Sequence, residues 1–354
     1  MKKQKLAIIF GGKSTEYSVS LESVFSVLSN IDQTKFEIYM IGINQNGEWK
    51  HFDDNISKIQ NDTWDSESLH HVMISPNPMQ HCLLEIIDEK IIKINIDAIM
   101  PILHGKNGED GTIQGIVQMA GIPLIGCDIL SSALCMDKYR AHQLVEQNGI
   151  LTPRCFLINN QNDYDYQKEK IMTLKLPVYV KPLKSGSSLG ISRIETFDLL
   201  DKAVDNGFQY DDQVIIEEEV QGFEVGCAIM GNQQLIVGRV DEIELSSGFF
   251  DFHEKYTLQT SKIHMPARID KNIEKKIQET AKCIYQILGC RTFARVDMFL
   301  TPQNEIIFNE VNTIPGFTSH SRYPNMMKGI GIEFKELLTQ LIEMGLEYAN
   351  TRSL

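Results

Sequence analysis

Met1-Lys-Lys-Gln-Lys-Leu-Ala-Ile-Ile-Phe-Gly-Gly12 sets a basic stretch, a short apolar run and a glycine pair at the start of the chain. The run is too short for the hydrophobic part of a signal peptide, and its abrupt end in two glycines is how a buried strand meets a turn. Leu6 to Phe10 is therefore expected to be a first buried strand. Phe36 to Ile43 and Ile96 to Leu103 have the same apolar character, with helical periodicity between or after the runs. Strands alternating with helices predict an α/β fold built on a parallel sheet.

A chain of 354 residues exceeds one ordinary core and suits two or three modules around a shared cleft. Its 42% apolar and 23% charged residues are the balance of a folded globular protein. A net charge of -13 excludes a surface that binds nucleic acid non-specifically, because that needs clustered Lys and Arg. The seven cysteines show no C-x-x-C spacing and read as reduced core thiols of a cytoplasmic protein. No apolar stretch approaches the roughly 20 residues that span a bilayer.

Further along, Asp54 to Gln80 has weak periodicity and reads as a variable surface excursion. A helix is expected from Leu130 to Gln147, stopping at Asn148-Gly149 with Pro153 beyond. A second module then holds a strand at Pro177 to Val180, a helix around Phe197 to Val204 and a strand at Gln213 to Glu218. After Gly222 a third module carries strands at Glu224 to Met230, Gln234 to Val240, Thr292 to Leu300 and Glu305 to Val311. Long helices are expected there at Asn272 to Leu288 and Glu333 to Met344. The domains expected are 1–127, 128–221 and 222–354.

Arg295-Val-Asp297 lies within one of these apolar strands, and Glu310-Val-Asn312 ends another. Residues two apart on a strand face the same way. Asp297, Glu310 and Asn312 would then present only oxygen ligands, the set that Mg²⁺ prefers over softer metals. Strand carboxylates are often merely solvated, but here they interrupt strongly apolar strands, where unpaired charge is costly. Lys181-Pro-Leu-Lys-Ser-Gly-Ser-Ser-Leu-Gly190 follows a strand and is small enough for its backbone amides to surround phosphate oxygens. It is not a Walker A loop. Alone it would read as a hairpin; with Lys181 before it and a cation site downstream, nucleotide binding is the better reading. Two more clusters, from Gly11 and from His104, sit where open parallel sheets bind ligands.

Together these segments resemble the D-alanine:D-alanine ligase family of ATP-grasp enzymes over nearly the whole chain. The shared motifs, all in the family's order, are GGKSTEYSVSL, HGKNGEDG, MDKYR, KPLKSGSSLG, EKYT, RVDMFL and NEVNTIPGFTSHSRYP. The resemblance implies an ATP-grasp fold: an N-terminal parallel α/β domain, with central and C-terminal α+β domains enclosing the ATP. It implies Lys138 and Lys181 on the phosphates, with Ser185, Gly186, Ser187 and Ser188 in the loop over the nucleotide. Glu217, Glu218, Val220 and Glu224 would contact adenine and ribose. Two Mg²⁺ ions, with Mn²⁺ as a substitute, would be held by Asp297, Glu310 and Asn312.

For the substrates, the resemblance puts Glu16 on the ammonium of the first D-amino acid, linked through Ser187 to Tyr256 on a mobile loop at about 244–262. His104 would lie beside the substrate, Ser321 on the second amino acid's carboxylate, and Arg295 and Gly316 on the developing oxyanion. Family members that make an ester with D-lactate have a His in place of the Lys255-Tyr256 pair, so an amine acceptor is expected. Tyr17 stands where His or Arg is common, and Arg322 where an apolar residue is usual. The sequence is similar to the vancomycin-resistance type of D-Ala:D-Ser ligase, with Asp241 and Phe250 as neighbours of Arg322 in a polar acceptor pocket. A housekeeping D-Ala:D-Ala ligase is the alternative acceptor reading, and a non-catalytic ATP-binding regulator the alternative of another class. A homodimer and the absence of nucleic-acid or membrane partners complete the expectation.

Overall fold

A computed structural model describes residues 3–186, 189–245 and 261–352. Three sheets organise them. The first contains β1 (Gln4–Gly11), β2 (Phe36–Ile43), β3 (Trp49–Phe52), β4 (His71–Ile74), β5 (Cys82–Ile87), β6 (Lys90–Asn95) and β7 (Ala98–Ile102), in the order β6-β5-β4-β3-β2-β1-β7. β1 pairs in parallel with β2 and β7, and α1 (Tyr17–Asn30) makes the crossover between β1 and β2. From β2 outward, β3 to β6 pair antiparallel. The parallel sheet expected from the sequence is thus confined to β2, β1 and β7.

Asp54 to Gln80 is not the surface excursion that its composition suggests. It forms α2 (Ser57–Gln60) and β4, and it buries Ile59 and Trp64 completely. The Trp64 indole packs edge-on against Phe10 and Phe52, with ring centroids at 5.0 and 6.3 Å. Its Nε1 donates to the Tyr17 hydroxyl at 2.9 Å. Gly42 makes room for it, since a Cβ there would sit 2.2 Å from the indole. A single aromatic anchor creates no periodicity, which is why the segment reads as polar.

α3 (Thr112–Met119) follows β7. The helix expected over Leu130 to Gln147 is two helices, α4 (Ile129–Met136) and α5 (Lys138–Gln147). Asp137 divides them: its backbone is extended and its side chain accepts from Arg140 N at 2.9 Å, capping α5. α5 ends at Asn148 and Gly149 as expected. The second sheet, in the order β10-β9-β11-β8, is wholly antiparallel. Its strands are β8 (Cys155–Ile158), β9 (Val178–Pro182), β10 (Ser192–Ile194) and β11 (Val214–Glu218). With α6 (Gln161–Ile171) and α7 (Leu200–Gly207) it closes over a core of its own around Ile158, Tyr164, Val180 and Val214.

The third sheet runs β14-β13-β12-β15-β16 and is antiparallel throughout. It comprises β12 (Phe223–Gly231), β13 (Leu235–Leu245), β14 (Ser261–His264), β15 (Phe293–Leu300) and β16 (Ile306–Asn312). Helix Lys271–Ile287 covers one face through Ile277, Ala281 and Ile284. Helices Arg322–Lys328 and Phe334–Arg352 cover the other, and Leu337, Leu338, Leu341 and Ile342 share one core with Leu6, Phe10 and Val24 of the first module. The first and third modules are therefore joined by continuous apolar packing. All seven cysteines are free thiols, but Cys283 is exposed rather than in the core expected for it. Among the described residues, no helix is long and apolar enough to cross a membrane.

Trp64→Ala is expected to lower stability by about 3–5 kcal/mol through the cavity it leaves, measured as the shift in a denaturant unfolding curve. A change within about 0.5 kcal/mol, typical of surface positions, would show that the segment is peripheral after all.

Candidate functional site

The charged residues of the third sheet meet by register. Arg295 pairs with Asn312 and Asp297 with Glu310 across β15 and β16. Arg295 holds both oxygens of Asp297, Nε to Oδ1 at 2.8 Å and Nη2 to Oδ2 at 2.7 Å. Asn312 Nδ2 donates to Asp297 Oδ2 at 2.9 Å. Asp297 is 1% exposed, so its charge depends on these partners. Among the described residues no three His, Cys, Asp or Glu side chains are grouped to hold a metal. The oxygen-only set of Asp297, Glu310 and Asn312 still fits Mg²⁺, which takes one or two carboxylates and draws its other ligands from phosphate and water.

Arg322 joins the same cluster. Its Nε and Nη2 donate to Asp241 at 2.8 Å each, and its Nη1 to Glu224 Oε1 at 2.7 Å. Nη2 also stands 3.5 Å from Asp297 Oδ1. Asp241 is fully buried, and its Oδ1 accepts from Gly226 N at 3.0 Å. Only glycine fits at 226, because a Cβ there would lie 2.3 Å from Arg322 Nη2. Burial works against the Arg322 charge, but Asp241 and Asp297 more than restore it and hold the group protonated.

A cavity of about 520 Å³ lies between the second and third sheets, within the range of small-molecule sites. Lys138 opens α5 beside it, its Nζ donating to Ser185 O at 3.1 Å and standing 3.6 Å from Glu310 Oε2. Lys181 lies inside β9 rather than after it, and pairs with Glu217 of β11. Burial would raise the Glu217 carboxyl, but the Lys181 charge holds it below its ordinary range. Glu217 Oε2 is buried without a hydrogen-bond partner. Glu218 also lines the cavity, although its carboxylate accepts from Lys175 N at 2.9 Å. Val220 and Glu224 line the cavity, as does Tyr179, which the sequence reading missed although it stands two residues from Lys181 on one strand. Ser187, Ser188, Phe250, Lys255, Tyr256 and most of the 244–262 loop lie outside the described residues.

A second cavity, of about 1050 Å³, takes in Glu16, His104, Arg295, Gly316, Ser321 and Arg322. Glu16 is 8% exposed at the start of α1. Its carboxylate is flanked by two glycines: a Cβ at Gly105 would lie 2.2 Å from Glu16 Oε2, and one at Gly186 2.5 Å away. His104 Nδ1 bonds the Ile314 carbonyl at 2.9 Å, which makes Nε2 the acceptor of the Ser23 hydroxyl at 3.0 Å. Burial holds this imidazole neutral. Glu109, another residue the sequence reading passed over, accepts from Gly105 N and Ile314 N at 3.0 Å each. Burial and the nearby Glu16 charge push its carboxyl up to about 8. His104 and Glu109 thus pin the HGKNGEDG turn to the chain leading to Gly316. Ser321 Oγ accepts from Thr318 N at 3.0 Å, close beneath Gly316. Tyr17 does not enter the cavity; its hydroxyl donates to Asp62 Oδ1 at 2.8 Å.

Residues 5–127 match the family model for the D-ala D-ala ligase N-terminus, and residues 144–343 match that for the C-terminus. The chain belongs to the D-alanine:D-alanine ligase family. It is therefore an ATP-dependent carboxylate–amine ligase, and its three-sheet architecture is that of the family's ATP-grasp structures. The crystal structure of VanG D-Ala:D-Ser ligase from Enterococcus faecalis superposes with a TM-score of 0.90 at 55% identity, covering 97% of this chain and 100% of that one. The vancomycin B-type resistance protein VanB of Enterococcus faecalis is 43% identical over 98% of this chain and 100% of its own length. A D-alanine–D-alanine ligase of Caldicellulosiruptor bescii is 38% identical over 98% of this chain and 96% of its own length.

Gly186→Ala places a methyl against Glu16 without requiring a left-handed backbone. It is expected to lower kcat/KM for D-alanine by about tenfold or more, the cost of a displaced binding group. Unchanged D-alanine kinetics would show that Glu16 does not contact the first substrate.

Proposed function

We propose that this ligase joins D-alanine to D-serine, and that the dipeptide supplies a peptidoglycan precursor with reduced affinity for vancomycin. The observation that carries the reading is Arg322. Its hydrogen bonds to Asp241 and Glu224 occupy three of the five guanidinium N–H groups. A fourth leans toward Asp297, which leaves an Nη1 hydrogen at the wall of the larger cavity for an acceptor hydroxyl. An apolar residue there would pack against a methyl instead. The 55% identity to a D-Ala:D-Ser ligase supports the same choice.

In this reading Glu16 holds the ammonium of D-alanine, and Lys138 and Lys181 hold the ATP phosphates. The γ-phosphoryl passes in line to the D-alanine carboxylate while Arg295 neutralises the charge that develops. Asp297, Glu310 and Asn312 would hold magnesium, which supplies Lewis-acid stabilisation of the phosphate oxygens. The D-serine amine, its carboxylate held by Ser321, then attacks the acyl phosphate. The backbone N–H near Gly316 and Arg295 stabilise the tetrahedral oxyanion, and collapse releases dipeptide and phosphate. Glu217 Oε2, buried and unpartnered, suits the exocyclic amine of adenine. We further place the enzyme in the cytoplasm as a homodimer, following the family resemblance.

D-alanine as acceptor is the second reading, supported by the 38% identity to the Caldicellulosiruptor ligase over nearly the whole chain. The intact oxygen-ligand set argues against a chain that binds ATP without turnover.

Phosphate release with ATP, Mg²⁺ and limiting D-alanine, with and without D-serine, followed by product mass, decides the acceptor. The mixed dipeptide is expected to dominate, and D-Ala-D-Ala alone would overturn the serine reading. Arg295→Ala is expected to abolish turnover, a loss of about 10²-fold or more, while ATP binding stays measurable by calorimetry. Near-normal turnover would remove Arg295 from the mechanism.

A further inference from the structure

β16 carries one residue more than its partner. Asp297 pairs with Glu310 but Met298 pairs with Phe308, so Asn309 has no opposite number on β15. A regular strand would turn residues 309 and 310 to opposite faces; the bulge lets both line the nucleotide cavity. A bulged residue also drops out of the ladder, and its buried carbonyl needs another donor.

His142 supplies it. The imidazole, 2% exposed on α5, donates from Nε2 to the Asn309 carbonyl at 2.8 Å. Its ring packs edge-on against Phe308, with centroids 5.4 Å apart. With Nε2 as the donor, Nδ1 is an acceptor nitrogen, and it is buried without a partner, as is Glu217 Oε2. Burial keeps the ring neutral against the charge of Glu217. A ring kept only for packing would need no donor, and the bulge carbonyl is what distinguishes the two roles.

We propose that His142 is a positioning residue for nucleotide binding: it fixes the Asn309 bulge so that Asn309 and Glu310 face the nucleotide opposite Lys181 and Glu217. The inference rests on the reading of the smaller cavity as the nucleotide site. His142 itself touches neither substrate, and it acts through the strand that carries two of the cation ligands.

The test compares His142→Phe, which keeps the ring and loses the donor, with His142→Gln, whose amide restores one. Affinity for a non-hydrolysable ATP analogue with Mg²⁺ is measured by calorimetry, and KM for ATP and for D-alanine in the phosphate-release assay. His142→Phe is expected to weaken analogue binding and raise KM for ATP by about tenfold, the scale of one buried hydrogen bond. KM for D-alanine should stay within about twofold, and His142→Gln should recover most of the loss. If His142→Phe does not fold, His142→Asn, polar but too short to reach the carbonyl, takes its place. Wild-type nucleotide affinity in the donor-less variant would overturn the proposal. So would failure of the Gln rescue, or a parallel rise in both KM values. Lys181→Ala is the separate control: if it leaves analogue binding unchanged, the nucleotide reading of the cavity fails, whatever His142 does.

Discussion

Asp297 keeps a carboxylate on a strand between the buried Val296 and Met298, and the cleft is arranged around that buried charge. Removing one partner of a buried pair costs about 3–5 kcal/mol, so each partner constrains the next. Arg295 grips Asp297 from the same strand, and Arg322 reaches it from the last module's short helix. Arg322 in turn requires Asp241 and Glu224, and its guanidinium approaches β12 this closely because residue 226 is glycine. Two guanidinium groups face three carboxylates, Asp297, Asp241 and Glu224, and Glu310 adds a fourth within reach of Lys138. The excess is negative, and it lies where the oxygen ligands converge. In the proposed reading that excess would be balanced by the cation that accompanies the nucleotide.

The modules differ in how firmly they are joined. One apolar core runs from β1 through the last helix, so Glu16 and the third sheet form a single framework. The second sheet keeps a separate core and faces that framework across the smaller cavity, which Lys181 and Glu217 line from its side. Glu16 sits at the junction, with Gly105 of its own module on one side and Gly186 of the second module on the other. A ligase that makes an acyl phosphate must exclude water while it reacts, and a module with its own core can shift as a body without disrupting the packing that holds Asp297.

Much of this was legible in the sequence where local periodicity carries it. Arg295 with Asp297, and Glu310 with Asn312, announce themselves as polar pairs two apart in apolar strands, and register then brings them together. Spacing does not reveal the partners of Arg322, which lie 81 and 98 residues away; Asp241 was expected beside it only through the family resemblance, and Glu224 was expected on the nucleotide instead. Trp64 was illegible for a different reason: its anchor role depends on Gly42 and Phe10 rather than on neighbours in its own segment. Asp137 splits a run that is helical by pattern, since one side-chain cap outweighs the periodicity around it. The bulge at Asn309 is invisible for a third reason, as strand alternation read from β16 alone assumes a register that only the pairing with β15 reveals.

Under the proposed function, acceptor choice would follow from the same buried cluster. Because Asp241 and Glu224 fix the Arg322 guanidinium in place, its remaining N–H cannot swing to solvent when a ligand fills the cavity. In the proposed reading, a D-serine hydroxyl would satisfy that donor. A D-alanine methyl would bury it unmet, at a cost of about 1–3 kcal/mol, so on that reading preference would come from a penalty on the smaller substrate more than from a tighter grip on the larger. An arginine free to move would relax away from the methyl and discriminate little. Specificity of this kind therefore resides as much in Asp241, Glu224 and the absent Cβ at Gly226 as in Arg322 itself.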